Sequence, residues 1–223
     1  MEQWEKSYEK EVEIYDSFAK YEDEGNKVLK RLLKDFSFKN KVVLDIGCGS
    51  GKYIKLLARR CKMYYALDIS KPILNLAKKT CRGIKNVKYI HADAKKLPLN
   101  NDSVDVVFST WGFPLEKKAT TEVMRVLKKG GDLWVFANYH TGDFMKMRGP
   151  SEIEWEINNT EKAFRRNGLK KFDIVKTNFN FPSLKKAKEI LGFMFREQAL
   201  NYLEIYPFPK LKHDVIIYNK KKI

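Results

Sequence analysis

The chain has 223 residues, of which 43% are hydrophobic and 13% aromatic, and this is enough apolar material for one α/β core with modest additions. No stretch approaches the roughly 18 apolar residues of a membrane span, and the start MEQWEKSYEK is too charged for a signal peptide, so we expect a cytoplasmic protein. The three cysteines form no CxxC or Cys/His cluster, which argues against a disulfide framework or a metal site.

The net charge of +16 raises the question of a nucleic-acid partner, because clustered lysines and arginines neutralise phosphates. The cations are mostly lysines, however, and they are spread in pairs along nearly every segment, such as Lys78-Lys79 and Lys128-Lys129. Such scatter is typical of a solvated surface. An RNA partner is therefore kept as an alternative.

The first 36 residues carry apolar side chains at helical spacing, including Trp4, Tyr8, Val12, Tyr15 and Phe18, and this predicts two leading helices. From Lys41 the pattern changes to short β-rich runs separated by helical stretches. The predicted strands are KVVLDI, MYYALD, VKYIHA, VDVVFS and DLWVFAN. The predicted helices between them are Tyr53–Arg60, Pro72–Cys81 and Thr120–Lys128, the last ended by Gly130-Gly131.

After Asn138 the pattern predicts a helix over Glu152–Arg166, a strand KFDIVKTNF, a helix from Ser183 to about Ile205 and a last strand DVIIYN. The alternation predicts an α/β fold with a doubly wound, mostly parallel, seven-stranded sheet. No linker interrupts the chain, so we expect one domain over 1–223. It would comprise leading helices over 1–38, a core over 39–138 and further elements over 139–223.

The stretch VVLDIGCGSGKYIKLLA places Gly47, Gly49 and Gly51 between a buried strand and a helix. Glycines there permit positive φ and let a ligand lie against the backbone. A Walker A loop is excluded, because Ile46 stands where its first glycine belongs and Tyr53 follows Lys52. The dinucleotide pattern G-x-G-x-x-G also fits poorly, and a nucleoside-bearing ligand remains.

Asp68 ends the next predicted strand, where a carboxylate can accept hydrogen bonds from ribose hydroxyls. The alternative is that Asp68 only caps the helix that begins near Lys71. A third element is HADAKKLPLNNDSVDVVFST, which places Asp93 just after the third strand. These three elements come in a fixed order along the chain.

The ordered segments LDIGCGSGKY, LDIS, HADAKKLPLNNDSVDVVFS and EVMRVLKKGGDLWVF resemble the motifs of class I S-adenosylmethionine-dependent methyltransferases, especially the type 11 group. The resemblance spans Lys41 to Ala137. It implies S-adenosylmethionine as cofactor and methyl transfer to a small-molecule acceptor. The alternatives are an RNA methyltransferase and a non-catalytic module that binds the cofactor.

The resemblance also implies roles for individual residues, in chain order. Asp45 would support the glycine turn, and Gly47, Cys48 and Gly49 would face the methionine portion of the cofactor. Ribose and adenine would be held by Asp68 and Ile69, with Asp93 accepting from the adenine amino group beside the Ala94 backbone. Beneath the sulfonium would lie Ser109, Thr110 and Trp111.

The acceptor side is less well defined by sequence. The run Ser109–Pro114 lacks the NPPY or DPPF motif of nucleobase amino methyltransferases, and no cysteine lies there for pyrimidine C5 chemistry. His140, next to Tyr139 and Asp143, is the candidate general base, although a loop histidine without a role is the simpler interpretation. His91 lies inside a strand pattern and is interpreted as structural, and His213 lies near the remote last strand.

Two apolar groups have two interpretations each. The leading aromatics Tyr8, Tyr15, Phe18 and Tyr21 would form a lid or, as we favour, pack in the core. The late helix would line an acceptor pocket or pack against a dimer partner, through Leu191, Phe193, Met194, Phe195 and Leu200. The sequence does not determine the oligomeric state.

Overall fold

A computed structural model describes residues 12–223, so the predicted roles of Trp4 and Tyr8 lie outside the described residues. Its helices are α1 Val12–Tyr21, α2 Lys27–Asp35, α3 Lys52–Leu57, α4 Lys71–Thr80, α5 Lys117–Val126, α6 Asp143–Arg148, α7 Pro150–Trp155, α8 Lys162–Arg166 and α9 Leu184–Ile205. Its strands are β1 Val42–Ile46, β2 Met63–Asp68, β3 Val87–His91, β4 Val104–Thr110, β5 Leu127–Asn138, β6 Lys170–Asn180 and β7 Lys210–Lys221. Short 3-10 turns cover Glu24–Asn26 and Ala58–Arg60, and a π-helical segment covers Glu156–Glu161.

The seven strands form one sheet in the order β3-β2-β1-β4-β5-β7-β6. The neighbours from β3 to β5 pair in parallel, and β6 with β7 contributes the antiparallel hairpin, where Phe181 N–H donates to the Pro209 carbonyl. The predicted mostly parallel α/β sheet is therefore confirmed. Chain order reverses between β1 and β4, and such a switch point opens a crevice at the carboxyl ends of the strands.

Strand β1 is an inner strand of the sheet and lies between β2 and β4, at the switch point. Four of its five residues are buried, as expected for a central parallel strand covered on both faces. Strand β3 at the sheet edge is only partly buried. The apolar run VVLDI therefore forms an inner strand of the sheet, directly before the glycine turn.

The glycine pair Gly130-Gly131 lies inside β5, so the prediction that it ends the preceding helix is wrong. Helix α5 stops at Val126 because Leu127 is already extended, with φ −65° and ψ 136°. Val104 pairs with Leu127 and Val106 with Asp132, which leaves extra residues as a bulge. Gly130 has φ +77°, and a Cβ on Gly131 would lie 2.9 Å from the Asp105 carbonyl oxygen.

The late helix begins and ends as predicted. The Ser183 side chain accepts from Lys186 N–H at 3.1 Å and caps the first turn, and the helix runs to Ile205 with a break at Arg196, where φ is 54°. The predicted helix over Glu152–Arg166 is divided into α7, the π-helical segment and α8. Helix α6 was not predicted.

The described residues fall into two compact units, and each has its own core. The first, here called the aromatic unit, comprises the described residues up to Phe36, Asn138–Lys162 and Asp173–Ile216. The second, called the glycine-turn unit, comprises Ser37–Ala137, Ala163–Phe172 and Ile217–Ile223. Between residues 12 and 223, no helix is both long and apolar enough to cross a bilayer.

The aromatic unit is named for a cluster of rings around Phe18 of α1. The ring centroid of Phe18 lies 4.9 Å from that of Phe179, and Phe144 lies 4.8 Å from Phe179. Tyr21 packs against the same buried cluster. The prediction that the leading aromatics pack in the core is confirmed for Phe18 and Tyr21.

Candidate functional site

The glycine turn between β1 and α3 is held by backbone hydrogen bonds. Gly47 and Cys48 both donate to the Leu67 carbonyl of β2, at 2.8 and 3.0 Å. Gly47, Gly49 and Gly51 have φ of 73°, 55° and 94°, which L side chains rarely adopt. The turn is therefore fixed against the end of the neighbouring strand.

A second loop lies directly against this turn. A Cβ placed on Gly47 would lie 3.1 Å from the Cα of Gly112, which follows β4. Trp111 just before it has φ of 55° and donates to the Phe136 carbonyl at 2.8 Å. Sequence reasoning missed Gly112, because a single glycine after a strand carries no sign of what it approaches.

Asp68 bridges the glycine turn and the start of α4. One carboxylate oxygen accepts from Gly49 N–H and the other from Ser70 N–H, both at 2.9 Å. The residue is only 7% exposed. Burial raises the pKa of its carboxyl, and the hydrogen bonds from backbone N–H groups oppose that rise.

The interpretation of Asp68 as a helix cap is not supported by this geometry. The N-cap residue of α4 is Ser70, whose hydroxyl oxygen accepts from Ile73 N–H at 3.5 Å. Asp68 lies before the helix and faces the glycine turn instead. Its carboxylate is thus placed at the carboxyl end of β2, beside the turn.

Asp45 of β1 is a buried acid, 1% exposed. Its Oδ2 accepts from the Tyr64 hydroxyl at 2.7 Å, while its Oδ1 has no hydrogen-bond partner among residues 12–223. Burial raises the pKa of Asp45 to about 7, opposed by the Tyr64 hydrogen bond and increased by the charge of Asp68. Its hydrogen bond joins it to β2 rather than to the N–H groups of the turn.

The third strand ends in a loop that carries Asp93 and Ala94. Asp93 Oδ1 accepts from Lys95 N–H at 2.8 Å, and the Lys95 ammonium lies 3.7 Å from Oδ2. Ala94 is buried. Ile69, which follows Asp68, is 49% exposed although it is apolar, so this end of the sheet presents an uncovered apolar side chain.

The end of β4 is placed differently from what the resemblance implies for Ser109. Its side chain is fully buried, and its Oγ donates to the Ile46 carbonyl at 2.7 Å. Ser109 therefore ties the ends of β4 and β1 together. Thr110 and Trp111, which follow, are partly exposed.

His140 belongs to the aromatic unit and follows the end of β5 by two residues. Its Nδ1 lies 2.7 Å from Glu161 Oε1, with both side chains partly buried. The ring of Tyr139 is 4.0 Å away between centroids. Sequence reasoning missed Glu161, because it is separated from His140 by two helices.

Other polar groups of the aromatic unit are structural. His213 is fully buried against Phe144 and Phe179. Asp143 accepts from Lys212 N–H at 3.1 Å. His91, by contrast, is exposed and contacts the Ile69 carbonyl.

The end of the late helix lines a cavity of about 570 Å³ in the aromatic unit. Tyr202 comes from α9, and Tyr206 and Phe208 follow it. The other residues that line this cavity are Asp143, Lys146, Lys210, Leu211 and Lys212. The cavity thus combines aromatic rings with lysine side chains.

This chain is similar to known proteins in the sequence around the glycine turn and in its fold. Residues 44–135 match the family model described as "Methyltransferase domain". A malonyl-[acyl-carrier protein] O-methyltransferase of Marinomonas sp. (strain MWYL1) is 35% identical over 134 residues, 56% of this chain and 48% of that protein. A demethylmenaquinone methyltransferase of Staphylococcus aureus (strain JH9) is 28% identical over 189 residues, 80% of this chain and 76% of that protein.

Among solved structures, a SAM-dependent methyltransferase from Aquifex aeolicus matches with a TM-score of 0.58. It is 21% identical, and the match covers 87% of this chain and 89% of that chain. At this identity the match establishes a common fold. The chain spans about half the length of the Marinomonas relative.

Proposed function

We propose that this chain is an S-adenosylmethionine-dependent methyltransferase of the class I fold and that it transfers the cofactor's methyl group to a small organic acceptor. The observation that carries the proposal is the Asp68 carboxylate bound to Gly49 N–H and lying beside the glycine turn. A strand-end carboxylate next to a backbone free of side chains suits a ribose at a switch point. The roles proposed below for the other residues are argued from this site.

The residues of the glycine-turn unit fit the cofactor. The Oδ1 atom of Asp45 is a buried acceptor without a donor among the described residues, and the cofactor's ammonium would supply one. Gly47 and Gly49 leave room for the methionine portion, and Ile69 offers apolar cover for the nucleoside. The bound cofactor supplies a methyl group on a positively charged sulfur.

The other candidate cofactor-binding residues are assigned by where they lie in the fold. Asp93 and the Ala94 backbone follow β3 and would contact the adenine. Thr110 ends β4 and Trp111 follows it, and both would line the floor of the site. The Ser109 side chain is turned to Ile46, so Ser109 would contribute only its backbone. Asp45 would bind the cofactor rather than support the turn.

Two observations favour a small organic acceptor. The two curated relatives are named for malonyl-[acyl-carrier protein] and for demethylmenaquinone. The cavity of about 570 Å³ in the aromatic unit has a volume typical of small-molecule sites and is lined by Tyr202, Tyr206 and Phe208. Of its three lysines, Lys210 is paired with Glu24 at 2.8 Å and Lys146 lies 4.0 Å from Asp143. Lys212 is therefore the one proposed to attract an acidic group on the acceptor.

We propose that His140 takes up the proton that the methylated group of the substrate loses. Glu161 Oε1 would accept from Nδ1–H, which leaves the lone pair on Nε2 to take a proton when an O–H or N–H acceptor is methylated. Methyl transfer itself needs mainly in-line placement and exclusion of water. His140→Asn is therefore expected to lower turnover more than cofactor affinity.

RNA is the second candidate acceptor, because the net charge is +16. Binding to bulk tRNA that weakens steeply between 50 and 200 mM salt would favour it. The main proposal is tested by incubating the full chain with methyl-labelled S-adenosylmethionine and a panel of small organic acids, phenols and quinols. Transfer of label to one of these supports the proposal, and transfer only to RNA would contradict it.

A further inference from the structure

His91 is the last residue of β3, and it faces the segment that follows β2. In the parallel pairing of these strands His91 is the partner of Asp68, and Ala92 N–H donates to the Asp68 carbonyl at 3.2 Å. The Nε2 atom of His91 lies 2.9 Å from the carbonyl oxygen of Ile69. The imidazole thus reaches across to the residue immediately after the proposed ribose ligand.

The Ile69 segment is short, and its contacts include the Ser70 N–H bond to Asp68 and the His91 contact with the Ile69 carbonyl. It lies between the end of β2 and the start of α4 at Lys71. Its apolar side chain is 49% exposed, so it is free to contact a bound nucleoside. A carbonyl fixed by a side-chain donor limits where this short segment can lie, and so limits where the Ile69 side chain points.

The His91 ring is suited to this task in either charge state. A neutral imidazole can carry its proton on Nε2, and a protonated one donates from both nitrogens. Because His91 is exposed, it contributes little to the packing of the core. Its contact with Ile69 is therefore the feature that calls for an explanation.

We infer that His91 is a positioning residue of the cofactor site, which holds the Ile69 backbone so that the Ile69 side chain covers the adenosine portion of S-adenosylmethionine. This inference rests on the proposed cofactor roles of Asp68 and Ile69. His91 does not contact the reacting atoms. Its effect falls on the binding of the nucleoside portion.

The test measures affinity for S-adenosylhomocysteine and for 5′-methylthioadenosine, which lacks the amino acid portion, by calorimetry on the full chain. His91→Phe removes the donor, and we expect both ligands to bind about three- to tenfold more weakly, as for loss of one hydrogen bond. His91→Gln keeps an N–H near the same place and is expected to stay within about twofold of wild type. Lys88→Gln, another exposed change on β3, is the matched control and should change neither affinity.

A double-mutant cycle tests whether His91 acts through Ile69. Ile69→Ala removes the apolar cover, so adding His91→Phe to it should weaken binding by clearly less than His91→Phe does alone. Fully additive effects would overturn the inference. So would a loss for S-adenosylhomocysteine that 5′-methylthioadenosine does not share, or a His91→Gln variant as weak as His91→Phe.

These measurements distinguish a failure of the His91 inference from a failure of the proposed function. If Asp68→Ala abolishes binding while His91→Phe binds like wild type, the cofactor site stands and the role of His91 is wrong. If wild type binds neither ligand, the proposed function itself fails. Melting temperatures measured without ligand show that each variant is folded, and His91→Ala, which also removes the donor, replaces His91→Phe should that variant unfold.

Discussion

Gly47 and Gly112 approach each other so closely that a Cβ on either glycine would lie 3.1 Å from the Cα of the other. Gly47 opens the turn after β1, and Gly112 belongs to the loop after the neighbouring strand β4. A side chain at either position would push the two loops apart. The shape of the proposed cofactor site therefore depends on two glycines from different parts of the chain.

Gly47→Ala tests this contact. Gly47 has φ +73°, so the variant suffers backbone strain as well as the contact with Gly112. Gly83→Ala is a matched control, because Gly83 has φ +90° but nothing within 4 Å of its Cβ position. We expect Gly47→Ala to lose about 1 to 3 kcal/mol more free energy of unfolding than the control, and to lose S-adenosylhomocysteine binding. Equal losses in urea denaturation would contradict the close approach.

Ser109→Ala separates a structural role from a binding role. Because the Ser109 hydroxyl donates to the Ile46 carbonyl inside the core, its removal should lower the free energy of unfolding by about 1 kcal/mol. Affinity for S-adenosylhomocysteine should stay within about twofold. Ser103→Ala removes an exposed hydrogen bond to the Asn100 carbonyl and should cost less. A large loss of ligand affinity in Ser109→Ala would show that its side chain faces the ligand after all.

The raised pKa of Asp45 predicts how the affinity for the cofactor depends on pH. Burial raises the pKa of this carboxyl to about 7, so below that pH it is mostly protonated. The cofactor's ammonium favours the ionised form, and binding below pH 7 therefore requires loss of a proton. Affinity should be constant above about pH 7.5 and fall by up to about tenfold per pH unit between 6.5 and 5.5.

Asp45→Asn removes this titration. We expect the variant to bind more weakly at pH 8 and to show a flatter profile in calorimetry from pH 5.5 to 8. Asp68, whose pKa is also raised by burial and whose charge raises that of Asp45, remains in both proteins, so the steeper part of the wild-type profile is assigned to Asp45. Identical slopes for the two proteins would contradict the assignment to Asp45.

Glu156, at the start of the π-helical segment, predicts a pH dependence of stability. Burial raises its pKa to about 7, opposed by a hydrogen bond from Thr160. The folded chain holds this proton more tightly than the unfolded chain, so the stabilisation is complete below about pH 4.5 and is lost as pH rises to about 7. Glu156→Gln should therefore be more stable than wild type by about 2 kcal/mol at pH 8, and by much less at pH 5.

Urea denaturation of wild type and Glu156→Gln at pH 5 and pH 8 measures this difference in the free energy of unfolding. Glu154→Gln is the control, since Glu154 is exposed on the preceding helix α7, and its effect should be small and similar at pH 5 and pH 8. A Glu156→Gln variant that is less stable than wild type at pH 8 would mean that the carboxylate is needed in its ionised form.

The order of elements could be predicted because it depends on local pattern. Strands such as VVLDI and the helix capped by Ser183 carry their own apolar periodicity and start signals. Positive φ at Gly47, Gly49 and Gly51 could likewise be predicted from residue type. Asp68 was placed correctly at the end of β2, because a strand end fixes its last side chain.

What could not be predicted depends on tertiary contacts. The Gly47 contact with Gly112, the Asp45 hydrogen bond to Tyr64 and the pairing of His140 with Glu161 each join segments that are distant in sequence. Gly130-Gly131 was misread for the same reason. A glycine pair after a helix is a common stop signal, and only the packing of Gly131 against the Asp105 carbonyl shows that it permits a bulge in β5.

The most direct measurement is calorimetric titration of the full chain with S-adenosylhomocysteine at pH 8, for wild type and Asp68→Ala. The account predicts one saturable site per chain with micromolar affinity in wild type. Asp68→Ala should bind at least about tenfold more weakly, because it loses bonds to the ribose and the anchor of Gly49 N–H. No binding to folded wild type, or equal binding by the variant, would contradict the central claim that this strand-end carboxylate and the glycine turn form the cofactor site.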